Sequence, residues 1–200
     1  DEGWVGREQL VADIITKLQG EYRVIILTGI SGIGKTSLAE KLAVDLQDYW
    51  TNCARVNFDD ESKLGDFGNI AADLLTGWGQ QITAKESKNP QGLLDRLVQC
   101  LQENPYLVLI DSLERILKGN EAEGWSNFED DWWVKFFQRL LAAESCQSHI
   151  ILTTQDLPAQ IPIIGSRYQN FWHCQVLSGF EAPERLDLFE KTGLDVSTES

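Results

Sequence analysis

Apolar positions along this chain alternate between two periods, and each change of period marks a new element. Leu10, Val11, Ile14, Ile15 and Leu18 recur at i, i+1, i+4, i+5 and i+8, one face of a helix. Arg23 to Thr28 is a short β-branched run that predicts a buried strand, and Leu38, Ala39, Leu42, Ala43 and Leu46 return to helical spacing. Residues 54–58 alternate as a second strand that closes on Asp59 and Asp60. Phe67, Ile70, Ala71, Leu74 and Leu75 form a helix face, and the polar stretch 76–88 predicts a loop. Asn89-Pro90 then supplies an N-cap with proline at the first helical position, ahead of Leu93, Leu94, Leu97, Val98 and Leu101. Tyr106 to Ile110 is a continuous apolar run of strand length ending at Asp111. Residues 119–131, acidic and glycine-containing, predict a solvated surface loop. Trp133, Phe136, Phe137, Leu140 and Leu141 mark a strongly amphipathic helix. Ile150 to Thr153 predicts a fourth strand, 171–177 a fifth, and 183–191 a last helix stopped by Gly193. Strands alternating with helices predict an α/β fold built on a parallel sheet covered on both faces.

The turn between the first strand and the second helix carries the chemistry. Residues 29–36 read Gly-Ile-Ser-Gly-Ile-Gly-Lys-Thr, the G-x-x-x-x-G-K-T loop that cradles phosphates between a strand and a helix. Glycines let the backbone N–H groups of Gly29, Ile30, Ser31, Gly32, Ile33 and Gly34 turn inward, and the following helix start, through Ser37, favours anionic oxygens. Lys35 is expected to reach the β- and γ-phosphates and the Thr36 hydroxyl to ligate Mg²⁺.

An acid at the end of a buried strand about 75 residues further on is where such proteins keep their second magnesium contact. Asp111 holds that position, with helix capping as its alternative role. Glu114 is the nearest carboxylate after it, and is either the catalytic base or a capping-box partner for Asp111. At the end of the fourth strand, Thr153, Thr154 and Gln155 are candidates to sense a γ-phosphate.

Composition limits the partners. The 200 residues carry a formal net charge of −14 with no basic cluster, which argues against nucleic acid or an anionic membrane surface binding this segment. No apolar run approaches the ~20 residues that span a bilayer. The four cysteines lie far apart with no C-x-x-C pair, as expected of free thiols in a cytoplasmic protein. The absence of Met, the first residue included, fits a segment of a longer polypeptide.

With these pieces in order, the chain resembles the nucleotide-binding domain of STAND-class signal-transduction ATPases, the NB-ARC and NACHT-like group, in particular bacterial and cyanobacterial members. Trp4-Val5-Gly6-Arg7-Glu8 looks like that group's V-G-R-E opening, which implies that Val5, Gly6 and Arg7 pack against adenine and ribose. Residues 107–114, LVLIDSLE, are similar to its second acidic motif, and 149–158, HIILTTQDLP, to its sensor strand, with Gln155 where an arginine is common. The resemblance implies a P-loop NTPase three-layer sandwich with a five-stranded parallel sheet in the order 5-1-4-3-2. It divides the chain into an opening segment and helix (1–22), the nucleotide-binding core (23–178) and the start of a helical subdomain (179–200).

The function implied is a switch that binds ATP or ADP with Mg²⁺ and turns over slowly. Lys35, Asp111 and Glu114 are its catalytic residues, Thr36 and Asp111 its metal contacts, and Thr154 and Gln155 its sensor. Its partners are other domains of the same polypeptide and further copies in a homo-oligomer. Two other readings stand beside it: a nucleotide-binding scaffold without hydrolysis, for which Ser112 and Gln155 speak, and a small-molecule kinase, against which the lack of clustered arginines speaks.

Overall fold

The computed structural model describes residues 7–60, 65–120 and 125–178. Helix α1 (Glu8–Leu18) leads into strand β1 (Val24–Thr28) and helix α2 (Lys35–Asp45). Strand β2 (Asn52–Asn57), helices α3 (Phe67–Gly77) and α4 (Pro90–Glu103), and strand β3 (Tyr106–Asp111) follow. Then come a hairpin of β4 (Leu117–Asn120) and β5 (Trp125–Phe128), helix α5 (Asp131–Ala142), strand β6 (His149–Thr154), helix α6 (Gln160–Gly165) and strand β7 (Trp172–Val176). The expected last helix, 183–191, lies outside the described residues, as do Val5 and Gly6.

Five strands form one sheet in the order β2-β3-β6-β1-β7, and every pairing in it is parallel. Counting only these five, the arrangement is 5-1-4-3-2 read from the β7 edge. Strand parity sorts the core. Val24, Ile26, Val108, Ile110, Ile150 and Leu152 face the cluster built with α3, α4 and α5. Their alternates Ile25, Leu27, Leu107, Leu109 and Ile151 face the cluster built with α1 and α2. Because both faces are covered, these strands are apolar throughout rather than alternating. Each such side chain contributes roughly 1.5–3 kcal/mol by leaving water.

Three segments differ from expectation. The stretch expected to be a surface loop contains the antiparallel hairpin β4–β5, anchored by Phe128, which is buried and stacks on Phe137 at 5.8 Å. Its four-residue strands are too short for alternation to show in sequence. Within the polar stretch 76–88, α3 runs on to Gly77 and a 3₁₀ turn spans Glu86–Lys88. Helix α6 is a single short turn of chain around Pro162 that seats Ile161 in the core.

Helix starts follow local capping chemistry. Asn89 accepts from Gly92 N with Pro90 at the first position of α4, and Asp66 accepts from Asn69 N at the start of α3. Asp130 serves two helices. Its Oδ1 accepts from Trp132 N in α5 at 2.9 Å, and its Oδ2 accepts from Phe67 N in α3 at 2.9 Å. Asp130→Ala is therefore expected to lower unfolding free energy by about 2 kcal/mol, the sum of a lost cap and a lost charge-assisted bond. Urea midpoints of the two proteins at equal slope measure it. A shift no larger than that of a surface substitution would contradict the dual role.

Among the described residues no helix is long and apolar enough to cross a membrane. Cys53 is exposed, Cys100 is buried, Cys146 and Cys174 are half-buried, and all four are free.

Candidate functional site

The site forms where β1, β3 and β6 end side by side, because parallel strands bring their carboxyl ends to one edge. Strand β1 ends at Thr28, and Gly29 to Gly34 loop over to α2, which begins at Lys35. Gly34 has φ 94°, a left-handed conformation that glycine adopts without steric cost. Gly29 is required for closeness as well: a Cβ there would lie 2.8 Å from the Leu177 carbonyl oxygen. Ile30, Ser31, Gly32 and Ser37 are exposed at the rim, with Ile33 and Gly34 half-buried behind them. Lys35 is buried, and its Nζ donates to the Gly29 carbonyl at 2.8 Å and the Ile30 carbonyl at 3.0 Å, spanning the loop.

Thr36 and Asp111, 75 residues apart, meet directly: the Thr36 hydroxyl donates to Asp111 Oδ1 at 2.9 Å. The Thr153 hydroxyl donates to the same oxygen, and Thr153 also accepts from Ser112 N at 3.1 Å. Parity explains this meeting. Thr153 follows Ile151 on the face turned to α2, whereas Thr154 follows Leu152 on the opposite face. Thr154 is accordingly buried away from Asp111, with its hydroxyl donating to the Asp156 carbonyl at 2.8 Å. The second Asp111 oxygen accepts from Arg55 Nη2 at 2.8 Å, an arginine on β2 that the sequence reading missed. Its guanidinium is held charged, its pKa raised chiefly by the hydrogen bond to Asp111 and secondarily by Glu40. Arg55 pairs with buried Leu109, two pairs before Asp111 in the β2–β3 register, and only that register brings it to the carboxylate.

Asp111 therefore does not act as a helix cap. The turn after it is 3₁₀, Leu113–Ile116, entered through Ser112 at φ 60° with no side-chain cap. Glu114 does not form a capping box either. Its Oε2 accepts from Gln155 N at 3.1 Å and its Oε1 from Gln155 Nε2 at 3.2 Å, which joins the expected base to the expected sensor position. Ser112 is itself tied to the end of β2, its hydroxyl donating to Asp59, which also accepts from Arg115 Nε at 2.9 Å. These two partners, Ser112 first, hold the Asp59 carboxyl below its usual range.

Arg7 ties three segments together. Its Nη1 donates to the Ile33 carbonyl at 2.9 Å and its Nη2 to the Ser178 carbonyl at 2.7 Å. Leu177 N donates to the Thr28 carbonyl at 2.7 Å, so the chain leaving β7 is seated on the phosphate loop from below.

The donor set fits a nucleotide's phosphates with a hard divalent cation. A hydroxyl and a carboxylate share one hydrogen bond at the carboxyl edge of the sheet, a lysine head lies across a glycine-formed loop, and a helix N-terminus stands behind them.

Comparison with known proteins agrees. The chain is 27% identical over 149 residues to an uncharacterized WD repeat-containing protein of Nostoc sp.; the match covers 70% of this chain and 11% of that protein's length. Its fold is similar to that of the Aeropyrum pernix ORC1 protein, solved in complex with DNA, with a TM-score of 0.57 and 14% identity over 96% of this chain and 50% of the other. At that identity the likeness speaks for the fold alone. The profile of the novel STAND NTPase 1 family matches residues 1–161, well over half of the sequence. The chain belongs to that family, and the constellation around Lys35, Thr36 and Asp111 is set in an NTPase module.

Proposed function

We propose that the module binds ATP and ADP with Mg²⁺ and works as a nucleotide-dependent switch with slow hydrolysis. The observation that carries this reading is the seat of the exit chain on the phosphate loop. Arg7 holds Ile33 and Ser178 at once, so a change of loop geometry is passed to whatever follows residue 178. A ligand shifts a two-state element only through differential contacts, and this bridge supplies them.

Thr36 and Asp111 would hold the cation and Lys35 the phosphate charge; bound magnesium supplies neutralisation of the developing negative charge. Glu114 accepts the proton of the attacking water, and Gln155 orients it through two donors. Thr154, from the buried side of the same strand end, fixes the backbone turn at Gln155. The adenine contact of Val5, Gly6 and Arg7 belongs to the same reading.

The partners proposed are other domains of one polypeptide, in keeping with a WD repeat relative of which this chain spans 11%, and identical modules in an oligomer. Nucleic acid is not among them, since the net charge of −14 opposes a polyanion. A second reading, nucleotide binding without turnover, is favoured by the engagement of both Glu114 oxygens by Gln155.

Titration with ATP, ADP and GTP, followed by phosphate release, tests the proposal. Adenine nucleotides should bind more tightly than GTP, and release should exceed the buffer background. Gln155→Ala keeps the backbone donor but loses Nε2, so release is expected to fall about three- to tenfold with ADP affinity nearly unchanged. Binding with no release by the wild type would favour the scaffold, and a rise in the variant would mean that Gln155 restrains the base.

A further inference from the structure

Asp111 carries a partner that the metal site does not call for. Thr36 and Thr153 occupy Oδ1, while Oδ2 is taken by a cation of the protein's own, Arg55 Nη2 at 2.8 Å. Arg55 also has a second anchor: its Nη1 meets Glu40 Oε1 at 2.5 Å. Glu40 follows Thr36 by four residues on α2 and so shares its helix face, which places the guanidinium between Glu40 and the metal-site carboxylate. The two acids differ in setting. The Glu40 side chain is 50% exposed and that of Asp111 only 9%, with Arg55 at 43% between them. Arg55 thus has a buried partner and a solvated one, joined by one flexible side chain from the edge strand.

A divalent cation at Thr36 and Asp111 would lie close to this guanidinium, and like charges repel at such range. The carboxylate that favours one cation therefore loses interest in the other. We propose that Arg55 competes with the divalent cation for Asp111, and that Glu40 is where its guanidinium withdraws when the cation binds. The pair Arg55–Glu40 then sets how strongly nucleotide binding depends on magnesium. This inference rests on the nucleotide reading above and adds to it a residue pair that tunes the cation.

The two partners pull in opposite directions, which makes the test decisive. ADP affinity of the 200-residue chain, measured by calorimetry with saturating MgCl₂ and again in EDTA, gives a coupling ratio. Arg55→Gln removes the competitor and should raise that ratio about fivefold, the scale of one partly solvated charge pair. Glu40→Gln leaves Asp111 as the acid paired with Arg55 and should lower it about threefold. The double variant should follow Arg55→Gln, since Glu40 acts only through Arg55. A merely structural role for Arg55 would misplace Asp111 and lower the ratio in both single variants, which would overturn the proposal. Equal ratios in all proteins would overturn it too, while leaving the nucleotide reading intact. Failure of the wild type to bind ADP under either condition would overturn both. Glu40 lies on the exposed side of α2, so its variant keeps the test open should Arg55→Gln fold poorly.

Discussion

Lys35→Ala is expected to weaken ADP and ATP binding in the presence of magnesium by about 100-fold or more, with phosphate release falling to background. The magnitude follows from what the ammonium does. It is buried behind the loop, and its Nζ already spans two loop carbonyls, Gly29 and Ile30. Phosphate oxygens offer the same head charge-assisted bonds worth roughly 1.5–3 kcal/mol each, and two of them amount to a factor of about 100 to 10,000. Folding should be little affected, because the variant removes two bonds to carbonyls that lie near solvent. Calorimetric titration beside thermal unfolding separates the two effects. Unaltered nucleotide affinity in a folded Lys35→Ala protein would refute phosphate binding at this loop. Lost affinity with a collapsed melting temperature would mean that Lys35 serves the fold.

How far the sequence led depended on how local each feature is. The phosphate loop is written in eight consecutive residues, and its strand and helix flanks are written in the periods beside it. The sheet is different. Its order came from resemblance, because nothing in the composition of β6 says that it lies between β3 and β1. Asp111 could be read from its place after an apolar run, and its link to Thr153 follows once strand parity is applied. Arg55 could not be singled out. Its meeting with Asp111 spans 56 residues and depends on the reach of one side chain across two strands. The β4–β5 hairpin escaped for another reason: its anchor Phe128 stands in an acidic stretch, and only packing against Phe137 reveals it as core. The spacing of Glu114 from Asp111 suits two roles equally, and its bonds to Gln155 exclude the capping box.

Stability is expected to fall by about 3 kcal/mol as pH drops from about 6.5 to 4, through one residue at the far end of the sheet. His149 opens β6 and is buried against Trp50 and Tyr49, with ring centroids 5.8 and 5.9 Å away. Its Nδ1 accepts from Trp50 Nε1 at 3.0 Å, and the ring also bonds to the Leu18 backbone, which fits the neutral Nε2–H tautomer. A second proton would have to sit on Nδ1, facing an N–H that already points there. Burial thus lowers the pKa to about 4, from the ordinary value of 6.5, against a smaller opposing effect of the Leu18 bond. Between these values the unfolded chain binds the proton and the folded one does not, so unfolding gains as pH falls. The contribution is fully present above about 6.5, is lost progressively toward 4, and is flat below. Carboxylates such as Asp59, whose folded pKa is lowered, add an acid loss of their own, and the reduced net charge acts the other way. Those effects are common to His149→Gln, which cannot titrate. The difference between the two proteins in urea-unfolding free energy, followed from pH 7.5 to 4.5, isolates His149. The variant starts lower at pH 7.5 because the ring packing is lost, and the gap should narrow on acidification. A gap that stays constant across that range would place the pH dependence elsewhere.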